Sequence, residues 1–300
     1  MTTPMPSRPA RTPLTAIAGP ALPGRTALRA AFGGCALAAI LILVGPGAAR
    51  AIEPTETNAE AIMAAVEARE TGDKMVARMQ MTITDSADRS RTRVVQTRSM
   101  KVPGGTKQIM LFESPADVRN TGLLSMDWDE GSKDDDQWLY LPSLHKSTRI
   151  ASTDKSGAFM GSDLTYADMT KKDPKNYSYT LTKPSAPVGG EDCWLIEARP
   201  KTDKEKRETG YLKSLVWVSK TRLLPLQSKV WVIEGKKIKL IKSDRIEKIE
   251  GIWVPRKTAV RTMRGDTVES QTVLELLSVK LNDPSVKATD FEQRRLEQGL

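Results

Sequence analysis

From Lys74 onward the sequence keeps a period of two. In KMVARMQMTIT, Met75, Ala77, Met79, Met81 and Ile83 fall on one face, and Val76, Arg78, Gln80 and Thr82 on the other. That is the pattern of a half-exposed strand. RTRVVQTRSMKV, KQIMLFES and TGLLSMDWD continue it. After a gap so do YSYTLTK, CWLIEARP, YLKSLVWVSK, PLQSKVWVIEG, KKIKLIKSDRIEKI, GIWVPRKTAVRTM and DTVESQTVLELLSVKL. Turn residues punctuate the series, among them Gly189-Gly190, Gly235, Gly251 and Gly265-Asp266. Only TETNAEAIMAAVEARE reads as a long helix, with Thr57 and Glu60 as a capping box and Ile62, Ala65 and Val66 as its apolar stripe. The tail, DPSVKATDFEQRRLEQGL, closes on a short one. No βαβ alternation appears, which argues against a parallel sheet. A sheet this wide must curl, split or close. The expected fold is mainly β: a single strongly curved antiparallel sheet of about eleven strands forming a half-open barrel, with the N-terminal helix and short helices as lid or plug. One amphipathic helix cannot cover so broad a face, so an apolar hollow is expected beneath it.

The residues before this series do not look like part of the fold. Arg8, Arg11, Arg25 and Arg29 stand in an acid-free start, Ala30 to Val44 is an apolar run, and Ala49-Arg50-Ala51 ends it. These are the three parts of a secretory signal. We expect a signal peptide over 1–51, cleaved after Ala51, and one domain over 52–300. The apolar run falls short of the roughly 20 residues a spanning helix needs. Cys35 lies near the start of that run, where a lipidation cysteine would lie at its end, so a soluble mature protein is expected. Cys193 is then the remaining thiol, with no internal disulfide and a buried position expected. Removing the five arginines of the signal takes the formal charge from +9 to +4. The remaining basic residues interleave with acids, without the clustered basic face that nucleic acid requires.

Catalytic chemistry is sparse. The sole histidine is His145, between Leu144 and Lys146. FMGSD lacks the second glycine of a nucleophile elbow. One cysteine and one histidine cannot make a zinc site. Asp134-Asp135-Asp136, even with Asp127 and Asp129, lacks EF-hand spacing and reads as a solvated loop. No phosphate-binding glycine pattern is present. The expectation is a protein that is not an enzyme and has no metal or cofactor. Apolar surface remains. Met75, Met79 and Met81 share a strand face, and Met100, Met110 and Met126 follow on later strands; methionine suits irregular partners. The candidate lining of the hollow is Met79, Met81, Met110, Leu124 and Met126, with Trp138, Tyr140, Trp217 and Trp231 as wall or rim. Greasy walls suffice for an acyl chain: about 12 buried methylenes at about 0.8 kcal/mol each contribute roughly 10 kcal/mol before ordering costs.

GAFMGSDLTYADM, Gly157 to Met169, needs its own account. Phe159 and Met160 read as an apolar plug under or beside the hollow. Gly161 permits a sharp turn. Ser162 or Asp163 is expected to cap a short helix holding Tyr166 and Met169. Asp163 and Asp168 stand five apart with no histidine or nucleophile between them. The segment serves structure on this reading; the alternative is the rim of the ligand site.

With WLYLPSLHKSTRI before it, this segment resembles the periplasmic outer-membrane lipoprotein-sorting proteins of the LolA-like superfamily. The match is at Trp138, Tyr140, Pro142, Arg149, Phe159, Gly161, Ser162, Asp163, Tyr166 and Asp168. ARPK at 198–201, GIWVPRK at 251–257 and Asp290-Phe291 also fit, and the resemblance runs from about Ala59 to Leu296. It implies a half-open barrel closed by helices, an apolar cavity for acyl chains, and periplasmic handling of lipids or lipoproteins in their sorting to the outer membrane. It also implies, as a partner, an inner-membrane transporter of the resistance-nodulation-division type. The rival readings are an accessory protein of such a transporter and a secreted hydrolase using Asp163 and Asp168, since paired carboxylates can do such work.

Overall fold

The computed structural model describes residues 52–129 and 133–299; the expected signal peptide, 1–51, lies outside the described residues. The first described element is α1 (Ala59–Glu67), whose cap is Asn58 and not the expected Thr57: the Asn58 side chain accepts the Ala61 N–H at 3.0 Å. Four strands follow, β1 (Lys74–Asp85), β2 (Ser90–Val102), β3 (Gly105–Ser114) and β4 (Gly122–Trp128). Then come β5 (Asp136–Leu141) and β6 (Lys146–Arg149). After a crossing segment over residues 150–176, the chain resumes with β7 (Tyr177–Lys183) and β8 (Cys193–Pro200). Helix α2 (Asp203–Thr209) leads to β9 (Tyr211–Ser219), β10 (Pro225–Val232), β11 (Lys237–Ile249), β12 (Ile252–Arg264) and β13 (Thr267–Leu281). Helix α3 (Gln293–Gln298) ends the chain.

All the strands join one open antiparallel sheet of thirteen, in the order β6-β5-β4-β3-β2-β1-β13-β12-β11-β10-β9-β8-β7. The alternation suggested about eleven strands. The two extra ones are β5 and β6, which hide in WLYLPSLHKSTRI because they are short and separated by a tight turn at Pro142–Leu144. His145 closes that turn with a φ of 47°. Helix α2 was also unannounced, although Thr202 accepts the Glu205 N–H and Gly210 ends the helix at a φ of 75°.

The strand order has one consequence for function. The first and last strands pair in the middle of the sheet, so its two edges, β6 and β7, are consecutive in the chain. Residues 150–176 must therefore cross from edge to edge. They do so over one face, here called inner. The edges curl toward each other: Lys204 of α2, beyond β8, pairs with Asp134, ahead of β5. Helix α1 covers the same inner face at the β7–β9 end. There Ala59 and Ile62 pack with Trp194, Ile196, Val216 and Val218. Residues 282–299 return over the outer face of β3–β5, burying Val286, Phe291 and Leu296 against Ile109, Leu111, Leu124 and Tyr140. Arg98 pairs with Asp290 at 2.9 Å to fix this return.

Candidate functional site

The crossing segment folds on itself before it meets the sheet. Ala158 bridges Thr165, and the Phe159 N–H donates to the Leu164 carbonyl at 2.7 Å. The reversal needs left-handed backbone at Met160 and Gly161, with φ of 49° and 68°. Glycine takes that conformation at no steric cost; methionine is held in it, and Arg93 of β2 donates to its carbonyl. The tip drives Phe159 into the inner face, where it is 1% exposed. It packs in one cluster with Met81, Val95, Phe112, Leu164 and Val260, and Tyr166 meets its ring edge-on at 5.7 Å.

Two carboxyl groups tie this plug to the β9–β13 half of the sheet. Asp163 accepts from Thr262 on β12 at 2.5 Å and from Ser270 and Thr272 on β13 at 2.5 and 2.7 Å. Its own N–H donates to the Thr272 hydroxyl at 2.9 Å. The expected helix cap is therefore neither Ser162 nor Asp163. Thr165 caps the short turn Tyr166–Met169, and Asp168 completes the box by accepting the Thr165 N–H. Asp168 also accepts from Tyr211 on β9 at 2.6 Å and faces Lys239 on β11 at 4.0 Å. Burial pushes its carboxyl up, but Lys172, Lys239 and the Tyr211 hydroxyl outweigh that and hold it below the usual carboxylate range. Tyr211 and Lys239 were not legible as partners, and neither were Thr262, Ser270 and Thr272. Strands β11–β13 are rich in polar residues throughout, so nothing in their sequence singles these out.

The plug fills part of the apolar inner face, and two open spaces beside it have mixed walls, apolar surface alongside polar and charged side chains. Phe159 and its neighbours take up the part of the expected hollow over Met81, Val95 and Phe112. A cavity of about 660 Å³ sits between the curled edges, lined by α1, α2, residues 133–135 and residues 167–176. Lys155 spans it, donating to the Asp135 carbonyl at 2.9 Å and facing Glu208 at 3.9 Å. A second cavity of about 310 Å³ lies on the inner face of β1–β4, lined by Met75, Ser99, Gln108, Ser125 and Met169 among others. Asp127, Thr170 and Lys171 border both. Both volumes fall within the range of ligand pockets. The acidic run is thus not simply solvated: Asp135 accepts the Trp128 N–H at 3.0 Å and stands in the wall.

Burial pushes the Asp127 carboxyl up to about 7, helped by Asp135 and opposed by the Lys171 N–H it accepts at 2.7 Å. Burial likewise raises Asp135 and Glu208. An unfolded aspartate titrates near 3.9, so the folded state holds the extra proton between about 4 and about 7. The contribution of this group to stability is then complete below about 4 and is lost as pH rises through about 7. The expected loss is roughly 1–2 kcal/mol. Urea unfolding at pH 5 and pH 8 checks it: Asp127→Asn should flatten the difference, and an unchanged slope would contradict the assignment.

The structure brings together some of the sequence candidates and separates others. Met79, Met81, Met110, Phe159, Met160 and Tyr166 share the plug cluster. Leu124, Trp138 and Tyr140 stand on the outer face beneath the C-terminal segment, and Met126 follows Leu124 in register. Trp217 packs outside with Cys193, Leu224 and Leu226. Trp231 lies between Lys213 and Lys229, at 4.7 and 5.0 Å. Ser162 accepts the Leu164 N–H within the plug. His145 is exposed on the β5–β6 turn.

A family model described as an uncharacterized protein matches residues 104–298. Among solved structures, one from Vibrio parahaemolyticus, provisionally described as an outer membrane lipoprotein-sorting protein domain, is 27% identical. It covers 80% of this chain and 98% of its own, with a TM-score of 0.72. A DUF1329 family protein from Desulfovibrio piger is also 27% identical, over 82% of this chain and 100% of its own, at a TM-score of 0.72. A LolA superfamily protein from Nitrosomonas europaea, 19% identical over 80% of this chain and 99% of its own, shares the fold at a TM-score of 0.60. No curated protein matches the chain.

Proposed function

We propose that this chain, which belongs to the matched family of uncharacterized proteins and to the LolA-like superfamily, is a periplasmic carrier that holds an amphiphile, a lipid or the acylated end of a lipoprotein, for sorting to the outer membrane. The observation that carries the reading is the pair of adjoining cavities between the sheet and its crossing plug, in a fold shared with the Vibrio domain along most of both chains. The amphiphile occupies this pair of cavities, beside the plug.

Residues 1–51 serve as the export signal in this reading, and cleavage after Ala51 releases the domain over 52–300. Among the described residues no helix is long and apolar enough to cross a membrane. The hydrolase reading has less support, because Asp163 is enclosed by three hydroxyl donors and Asp168 by Tyr211 and two lysines. Both carboxyls are occupied in anchoring the plug.

Organic-solvent extraction of the purified protein, followed by mass spectrometry, should release a co-purified lipid. The stripped protein should then take up a fluorescent fatty acid saturably. Finding neither would sink the carrier reading.

A further inference from the structure

The smaller cavity has a wall that packing alone does not explain. The register aligns Ser99 of β2 with Gln108 of β3, and Gln108 with Ser125 of β4. The row continues to Gln137 of β5. Toward the plug, the next row sets Thr97 opposite Met110 and Met110 opposite Leu123, and the row beyond it sets Val95 opposite Phe112. Ser125 is 2% exposed and lines the cavity, and its hydroxyl has no hydrogen-bond partner among the described residues. The same holds for the Gln137 Oε1, whose side-chain amide donates to the Tyr166 carbonyl at 2.8 Å. Buried polar atoms in proteins are almost always paired, and an unpaired one is destabilising unless something else meets it. Small apolar residues would fill these positions at no such cost.

We propose that this cavity is a headgroup site, in which the Ser99–Gln108–Ser125 row grips a neutral headgroup bearing hydroxyl or amide groups. The inference rests on the carrier reading and narrows its ligand. Hydroxyl and amide side chains both donate and accept, so they match a ligand that does the same. An anionic headgroup is disfavoured because the bordering cations are already matched. Lys101 faces Glu70 and Asp73 at 3.3 and 3.4 Å, and Lys171 faces Glu67 at 3.3 Å.

Three amphiphiles with one 12-carbon chain test this by displacement of a fluorescent fatty acid from the purified protein. Monododecanoylglycerol carries two hydroxyls, methyl dodecanoate none, and dodecyl phosphate a charge. Monododecanoylglycerol should displace the probe at about tenfold lower concentration than either of the others, the scale of one or two good hydrogen bonds. Ser125→Val should remove that advantage and leave methyl dodecanoate unchanged. Equal displacement by all three would overturn the headgroup site while leaving the carrier reading intact, and so would full discrimination in Ser125→Val. Binding of none would remove both. Should Ser125→Val fold poorly, the comparison of glycerol and methyl esters on the unaltered protein decides alone.

Discussion

Asp163→Ala is expected to lower the unfolding free energy by about 3–5 kcal/mol, measured by urea denaturation at neutral pH. The carboxyl group is 5% exposed and is the common acceptor for Thr262, Ser270 and Thr272. Deleting it leaves three hydroxyls to find other partners in a site where Thr262 is 8% and Thr272 0% exposed. Each orphaned buried hydroxyl costs roughly 1–3 kcal/mol, and partial relaxation keeps the sum below the arithmetic maximum. Asp163→Asn keeps the shape and one acceptor oxygen but presents an amide donor where an acceptor stood, so about 1–3 kcal/mol is expected for it. The ranking matters as much as the size. If Asn and Ala cost the same, steric support of the tip is the working role and the hydroxyl network is incidental. A loss under about 1 kcal/mol for Ala would mean that the plug is not pinned through this residue.

The same residue shows where sequence reading stops. GAFMGSDLTYADM stands out because its residues serve a tight reversal, and the left-handed turn at Gly161 follows from that motif. Its partners do not: Thr262, Ser270 and Thr272 lie 99 to 109 positions away along the chain. The strand count was legible wherever one face met solvent, because alternation then marks both the strand and its inner side. β4 shows the limit. In GLLSMDW both Leu123 and Leu124 are buried, at 1% and 3% exposure, because the plug covers one face and the C-terminal segment the other. With both faces covered, alternation carries no sign of direction. That is why Leu124, Trp138 and Tyr140 read as lining, and why the inward row of Ser99, Gln108 and Ser125 went unread. Phe159 and Met160 read as a plug, but the path of the segment that carries them does not, because it depends on the strand order that places β6 and β7 at opposite edges.

Phe159→Ala should cost about 3–5 kcal/mol, the range for truncating a fully buried aromatic side chain. The ring touches Phe112, at 6.0 Å between centroids, and Tyr166, and the cluster around it also holds Met81 and Val260, which are rigidly placed on central strands. Little can collapse into the space, so the upper half of the range is expected. The variant also separates plug from placeholder. The hole it leaves is apolar, without the charged residues that line the two existing cavities, and opens on the face that carries Met79, Met81 and Met110. If an acyl chain can use that space, dodecanoate should stabilise the variant by about 2.7 kcal/mol when free ligand reaches a hundredfold excess over the variant's Kd, and the unaltered protein by less. Thermal unfolding with and without dodecanoate measures both quantities in one series. A destabilised variant that dodecanoate does not rescue would show that the plug belongs permanently to the core and that ligands are confined to the cavities beside it. Rescue would show that the inner face can exchange its own phenylalanine for a guest, which is the exchange a carrier of chains longer than the smaller cavity can hold requires.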